Sequence, residues 1–138
     1  MKEHNGDYLS NESLLWHPRL GIHAVNVAPE FGVVETKSLV SVLKKLNSKD
    51  LLDKFLSIAY SSKKWEKWLV KNSQISDYEK SILAGHYVLS YPEVIEIKKQ
   101  ANNQLKDKST NIDKIIQSDI KKSIKRYMYY FRLIENLN

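Results

Sequence analysis

Apolar residues fall into two regimes along this chain. Before Gly32 they come in short runs bounded by polar clusters, and after Thr36 they recur at helical spacing. Leu20, Ile22 and Ala24 alternate with His23, Val25 and Val27. Both faces of that run are largely apolar, which predicts a strand of a parallel sheet buried on both sides. His23 and Asn26 are its polar exceptions. Pro29 and Gly32 break the run and lead into a helix. Ahead of it, Lys2-Glu3-His4-Asn5-Gly6-Asp7-Tyr8 is a dense polar cluster with almost no scaffold before it. Charged and amide side chains gathered at strand exits are the layout of a β/α active-site face. Two strands cannot close a barrel, so the chain reads as the C-terminal end of something larger.

The rest of the pattern is helical. Leu39, Val42, Leu43 and Leu46 share one face of a helix over Thr36 to Leu46. Ser48-Lys49-Asp50 offers a cap for a second helix, whose stripe is Leu51, Leu52, Phe55, Leu56 and Ala59. A short helix after Ser61-Ser62 carries Trp65, Trp68 and Leu69. Ser76-Asp77-Tyr78-Glu79 is a capping box before Ile82, Leu83 and Val88, and Ser90-Tyr91-Pro92-Glu93 reads as a second one. Gly85, inside the helix between them, marks close packing, because glycine there costs about 1 kcal/mol against alanine. Asn103 to Asn111 is a polar linker. The last helix is the clearest element: Ile112, Ile116, Ile120, Ile124, Tyr127, Phe131 and Ile134 recur at spacings of four, four, four, three, four and three. Several helices carry one apolar face only, so they must pack on each other or on a surface this chain does not supply.

Length and composition narrow the class. A chain of 138 residues is one domain by size, and its hydrophobic fraction of 42% is enough for a core. Four glycines and three prolines favour helix over a loop-rich β fold. The absence of cysteine excludes disulfides, thiolate metal sites and a cysteine nucleophile, and fits a reducing cytoplasm. No apolar run approaches the roughly 20 residues that span a bilayer, and the start is too polar for a signal peptide. The net charge of +6 owes much to Lys98, Lys99, Lys106, Lys108, Lys121, Lys122 and Lys125. With arginine forks for phosphate scarce, this argues for a solvated helix surface over a nucleic-acid footprint.

The chemistry-bearing residues concentrate at the start. Lys2 could hold a phosphate or form a Schiff base. Glu3 and His4 could transfer protons, and His4 could bind a divalent metal, although neighbours on a strand point to opposite faces. Asn26 lies near a strand exit and is a candidate for substrate contact, while His23 reads as a satisfied core histidine. Glu30 could bind a substrate hydroxyl or cap the next helix. Trp65, Trp68, Tyr78, Tyr87 and Tyr91 could form a sugar-stacking platform or serve as core and interface anchors. Tyr127, Tyr129 and Tyr130 beside Lys125 and Arg126 could stack on bases, but the helical stripe already explains Tyr127. There is no phosphate loop, dinucleotide fingerprint, His-Glu-x-x-His or nucleophile elbow.

Glu3-His4-Asn5-Gly6-Asp7-Tyr8 resembles the Glu-His-x-x-Asp-Tyr segment of the non-catalytic subunits of class II tagatose-bisphosphate aldolase, a family of the tagatose and galactitol pathways once labelled tagatose-6-phosphate kinases. Val25-Asn26-Val27-Ala28-Pro29-Glu30-Phe31-Gly32-Val33-Val34-Glu35 is similar to the family's last strand and its exit, with a Phe-x-x-x-Glu. Lys64-Trp65-Glu66-Lys67-Trp68 resembles an aromatic-lysine helix, Ser76-Asp77 precedes a matching helix, and Lys125-Arg126-Tyr127 resembles a closing helix with its Arg-x-Tyr. The matching positions that bear chemistry are Glu3, His4, Asp7, Phe31 and Glu35. The departure at Ala28-Pro29-Glu30 points to a diverged branch acting on another sugar.

The resemblance implies a fold that is mainly α with one or two short strands: the C-terminal fragment of an aldolase-type TIM (β/α)8 barrel, residues 1–46, followed by a helical extension, 47–138. It implies an accessory role in carbohydrate catabolism, beside a catalytic class II aldolase subunit that carries zinc and cleaves tagatose 1,6-bisphosphate, with no cofactor in this chain. Glu3 and His4 are the expected contacts for substrate or metal. Lys2, Asn5, Asp7, Asn26 and Glu30 are the expected sugar-phosphate ligands. Two other readings stay open: a free-standing basic helical module binding protein or nucleic acid, and a diverged sugar-phosphate lyase active only at full length.

Overall fold

The computed structural model describes residues 1–69 and 74–135. The last three residues of the expected helical extension, 136–138, lie outside them. Two strands of two residues each, β1 (Lys2–Glu3) and β2 (Ala24–Val25), pair in parallel with Lys2 opposite Ala24 and Glu3 opposite Val25. Parallel neighbours need a crossover, and helix α1 (Asn11–Arg19) supplies it. The apolar run from Leu20 predicts a longer strand buried on both sides, and this is corrected: Ala24 is exposed and Val25 half-buried, and nothing among the described residues covers the outer face. Helix α1 escaped the hydrophobic pattern because it buries only Leu14 and His17 while leaving Trp16 half exposed. Its start is signalled by Ser10, whose hydroxyl accepts the Ser13 N–H.

Helix α2 (Pro29–Lys45) is the hub. It begins seven residues before the Thr36 that the stripe indicates, with Pro29 in its first turn, where the missing N–H costs nothing. Val33, Leu39, Val40, Val42 and Leu43 face the core. They pack against α3 (Lys49–Ser61), α4 (Asp77–Ala84) and α6 (Ile112–Tyr130). Helix α5 (Pro92–Gln104) adds Val94, Ile97 and Ala101. Phe55, Ala59, Ile82, Val88, Ile112 and Ile116 complete one continuous cluster. The expected helix at Trp65–Leu69 is a single 3₁₀ turn, Glu66–Trp68.

Side-chain caps close the starts of α1, α4 and α6, whereas the expected Ser48 cap of α3 is corrected: its hydroxyl donates to Gln104 of α5 and caps nothing. Ser76 and Glu79 form the expected reciprocal box at α4. The second expected box is corrected: Tyr91, not Ser90, precedes α5, and no side chain caps that end. Helix α4 stops at Ala84 and tightens into a 3₁₀ turn, Gly85–Tyr87, where Gly85 lies against Thr36 of α2. A Cβ on Gly85 would stand 2.3 Å from Thr36 Cγ2, so the close packing expected of this glycine is present. Asn111 caps α6 through the Lys114 N–H, and Asn102 of α5 accepts the Ile112 N–H at 2.8 Å. Along the last stripe Ile112, Ile116 and Tyr127 are buried, whereas Ile124 is exposed and Ile134 follows the end of the helix.

Candidate functional site

The polar cluster at the start lies just past the C-terminal ends of both strands, and α2 and α6 hold it there. Its central group is the Asp7 carboxylate, which accepts the Ala28 N–H at 3.1 Å and the Glu30 N–H at 2.8 Å. Ala28 cannot cap α2 with its own side chain, so Asp7 satisfies these orphan donors from twenty-one residues upstream. Glu30 sits in the first turn of α2 and ties three elements together. Its carboxylate accepts the Tyr8 N–H, the Tyr127 hydroxyl and, at 3.1 Å, the Arg126 guanidinium. Arg126 also donates to Asn11 Oδ1 at 2.8 Å and to the Leu9 carbonyl. The Tyr127 hydroxyl lies 3.0 Å from the Gly6 carbonyl. Burial, and then the hydrogen bond and charge of Glu30, push the Tyr127 hydroxyl well above its ordinary value, so it stays a donor.

The expected ligands divide between this network and elsewhere. Asn26 donates its side-chain amide to His4 Nδ1 at 3.3 Å, and this joins the exits of β1 and β2. Glu3 points away from His4 and meets His17 Nε2, whose ring Nδ1 contacts the Ser13 carbonyl at 2.7 Å. The two expected contacts for substrate or metal are therefore on different sides of the strand, as strand alternation led one to expect. Lys2 is exposed on β1. Of the two roles open to Glu30, its backbone is capped by Asp7 while its carboxylate clamps α6. His23, read as a core histidine, is exposed; the buried histidine of this region is His17. Glu35 of the Phe-x-x-x-Glu lies in the second turn of α2, and burial raises its pKa.

As a metal ligand, His4 has no supporting donors. Among the described residues no three His, Asp or Glu side chains gather within reach of one ion, and the His4 neighbour is an amide nitrogen.

Beside this network lies a cleft of about 400 Å³, lined by Asn5, Asp7, Tyr8, Pro29, Val33, Trp68, Leu83 and His86. Asn5 and Asp7 are the expected site residues it contains. Trp68 and His86 bring in two 3₁₀ turns that the strand-exit pattern does not reach, beside Tyr8 of the same cluster. His86 packs its ring on Gly32, where a Cβ would stand 2.6 Å away, and on Tyr87 with ring centroids 3.9 Å apart. Its Nδ1 is buried without a hydrogen-bond partner among the described residues. Burial, and then the nearby Lys67 ammonium, hold its pKa below the ordinary histidine value. Burial, and then Asp7 and Glu30, raise the Tyr8 hydroxyl. Of the other candidate aromatics, Trp65 stacks on Tyr60 and donates to its carbonyl at 2.9 Å, while Tyr78 and Tyr91 are exposed.

No family model matches the chain, and neither does any curated protein or solved structure. The geometry therefore carries the functional argument.

Proposed function

We propose that the strand-end site takes a sugar phosphate, and that the chain is the non-catalytic subunit of a class II tagatose-bisphosphate aldolase. One observation carries this reading. His4, Asn5 and Asp7 follow one strand, Asn26 and Glu30 follow its parallel neighbour, and a helix joins the two. Side chains delivered from successive parallel strand ends are the way a β/α barrel builds its active face. The β1–α1–β2–α2 order is also what the last two units of such a barrel would contribute. The size of the sheet agrees, because two strands of two residues are below what usually stands alone. In this reading residues 1–46 complete a barrel, and α3 to α6 form the extension. The zinc and the bond-breaking chemistry belong to the catalytic partner, and Lys2 is the exposed cation available to a phosphate.

The test adds the purified chain to a class II aldolase catalytic subunit purified alone. The half-life and cleavage rate of that subunit should rise, and the two chains should elute together. His4→Ala and Asn26→Ala should reduce the gain while Lys63→Ala leaves it. An unchanged half-life and separate elution would reject the accessory role. Cleavage by the chain without a partner would favour a diverged lyase instead. The basic-module reading has less support, since Lys98 and Lys122 are paired with Asp113 and Asp119.

A further inference from the structure

We propose that the sugar phosphate lies in the cleft beside the strand ends, with its phosphate at the Lys67 and His86 end and its hydroxyls on Asn5 and Asp7. This deepens the sugar-phosphate reading and rests on it, because it assigns the two ends of one ligand within the same site. The cleft of about 400 Å³ has the size of a small-molecule site. Asn5 and Asp7 enter it from the loop after β1. Trp68 and His86 enter it from the two 3₁₀ turns, Glu66–Trp68 and Gly85–Tyr87. Pro29, Val33 and Leu83 supply its apolar lining.

Charge decides which way round the ligand lies. The carboxylates near the strand ends are compensated: Asp7 accepts the Ala28 and Glu30 N–H groups, and Glu30 is paired with Arg126 at 3.1 Å. Lys67 has no carboxylate partner among the described residues. Its ammonium lies 5.0 Å from the centre of the Trp68 ring and 4.2 Å from that of Tyr87. Tyr87 in turn packs on His86 with centroids 3.9 Å apart. A cation held only by aromatic rings therefore stands beside two lining residues, Trp68 and His86. A charge-assisted hydrogen bond to phosphate is stronger than an exposed cation–π contact, so the ammonium can exchange the rings for a phosphate oxygen. The His86 atoms turned to Gly32 are Cδ2, Cγ and Nδ1, which leaves the Nε2 edge to donate to the same group. At the other end an amide and a carboxylate offer the mixture of donors and acceptors that sugar hydroxyls match. Lys2 is exposed on β1 and does not line the cleft, so a phosphate inside it takes its counter-charge from Lys67.

The experiment is titration of the isotope-labelled chain with D-tagatose 6-phosphate, D-tagatose and inorganic phosphate, read from the Trp68 indole and His86 ring signals. The sugar phosphate should shift both saturably and bind about 10-fold more tightly than the free sugar, the effect of one hydrogen bond to a charged group. Lys67→Ala should remove that advantage and leave the affinity for D-tagatose unchanged, and Lys67→Arg should retain it. A residue that only shaped the cleft would change both affinities. If Lys2→Ala removes the advantage and Lys67→Ala does not, the phosphate lies at β1, and this placement fails while the sugar-phosphate reading stands. Equal loss of both ligands in Lys67→Ala, or equal affinity for inorganic phosphate and the sugar phosphate, overturns the placement in the same way. No saturable shift with any of the three overturns the sugar-phosphate reading itself.

Discussion

At the scale of single residues the molecule depends on a few buried polar contacts, and Tyr127 is the clearest. Its hydroxyl reaches both Glu30 and the Gly6 carbonyl, so a phenylalanine there keeps the ring and deletes the link. Tyr127→Phe should cost about 1–2 kcal/mol, measured by urea denaturation with an unchanged slope. The same residue gives an alkaline signature. The native hydroxyl has a pKa above that of the unfolded chain, so the unfolded state releases the proton first as pH rises. Stability should be flat with respect to this group below about pH 10 and fall above it. Tyr127→Phe should reduce that fall, leaving the smaller part due to Tyr8, which is shifted in the same direction. His86 has the opposite sign. Its folded pKa is depressed, so stability is fully present above its ordinary value of about 6.5 and declines as pH drops through the folded value. His86→Phe keeps the contact with Gly32 and Tyr87, and its melting temperature should be less sensitive to acid between about pH 6.5 and 5 than that of the parent chain.

At the scale of elements, Gly85 tests the packing of α4 on α2. In a free helix Gly85→Ala would add about 1 kcal/mol of helix stability. Here the new Cβ meets fully buried Thr36, so the change should destabilise by about 1–3 kcal/mol. Adding Thr36→Ser removes the clashing methyl, and the double variant should recover part of the loss, a non-additive cycle that chemical denaturation can read. Close packing at Gly85 was legible in sequence, since a glycine in an apolar stripe weakens a helix unless a neighbouring element needs the space, but its partner Thr36 was not. The capping box at Ser76 and the last helix were legible too, because each is a local pattern with one physical solution, whereas the parallel partner of Ala24–Val25 lies twenty-two residues upstream. The rest needed long-range information. Helix α1 has too narrow an apolar face to register, and the start of α2 is fixed by Asp7, twenty-one residues away. The candidate site was legible only as a set of polar residues at strand exits. Strand alternation already separated Glu3 from His4, but nothing local indicated that Glu3 pairs with His17. Trp68 and His86 reach the cleft by the packing of the bundle, which no spacing rule encodes. Arg126 and Tyr127 were visible as neighbours on a helix, and their role came from the loop they hold.

At the scale of the whole molecule the chain divides by the kind of force that holds it. The continuous apolar cluster runs from Val33 to Ile116 and takes no member from residues 1–32. Within that segment the Gly6 N–H binds the Asn26 carbonyl and Asp7 caps α2, while α6 holds it through the Arg126 and Tyr127 clamp and through ring contacts of Tyr127 with Phe31 and of Phe131 with His17. Each such link contributes about 1 kcal/mol, whereas each buried leucine or phenylalanine contributes about 2–3 kcal/mol. The segment should therefore open below the global unfolding energy, and amide exchange should show it. Arg126→Ala sharpens the case. The substitution removes donors to Leu9, Asn11 and Glu30 while touching none of the cluster residues. Protection of the amides of residues 6–14, 28 and 30 should drop about 10-fold or more. Protection in α3 and α5 should change little, because those helices are held by the apolar cluster. Equal loss across all helices would mean that the loop and the bundle unfold as one unit. Loss confined to the first thirty residues would make α6 the element that sets the geometry of the strand ends, and with them the cleft.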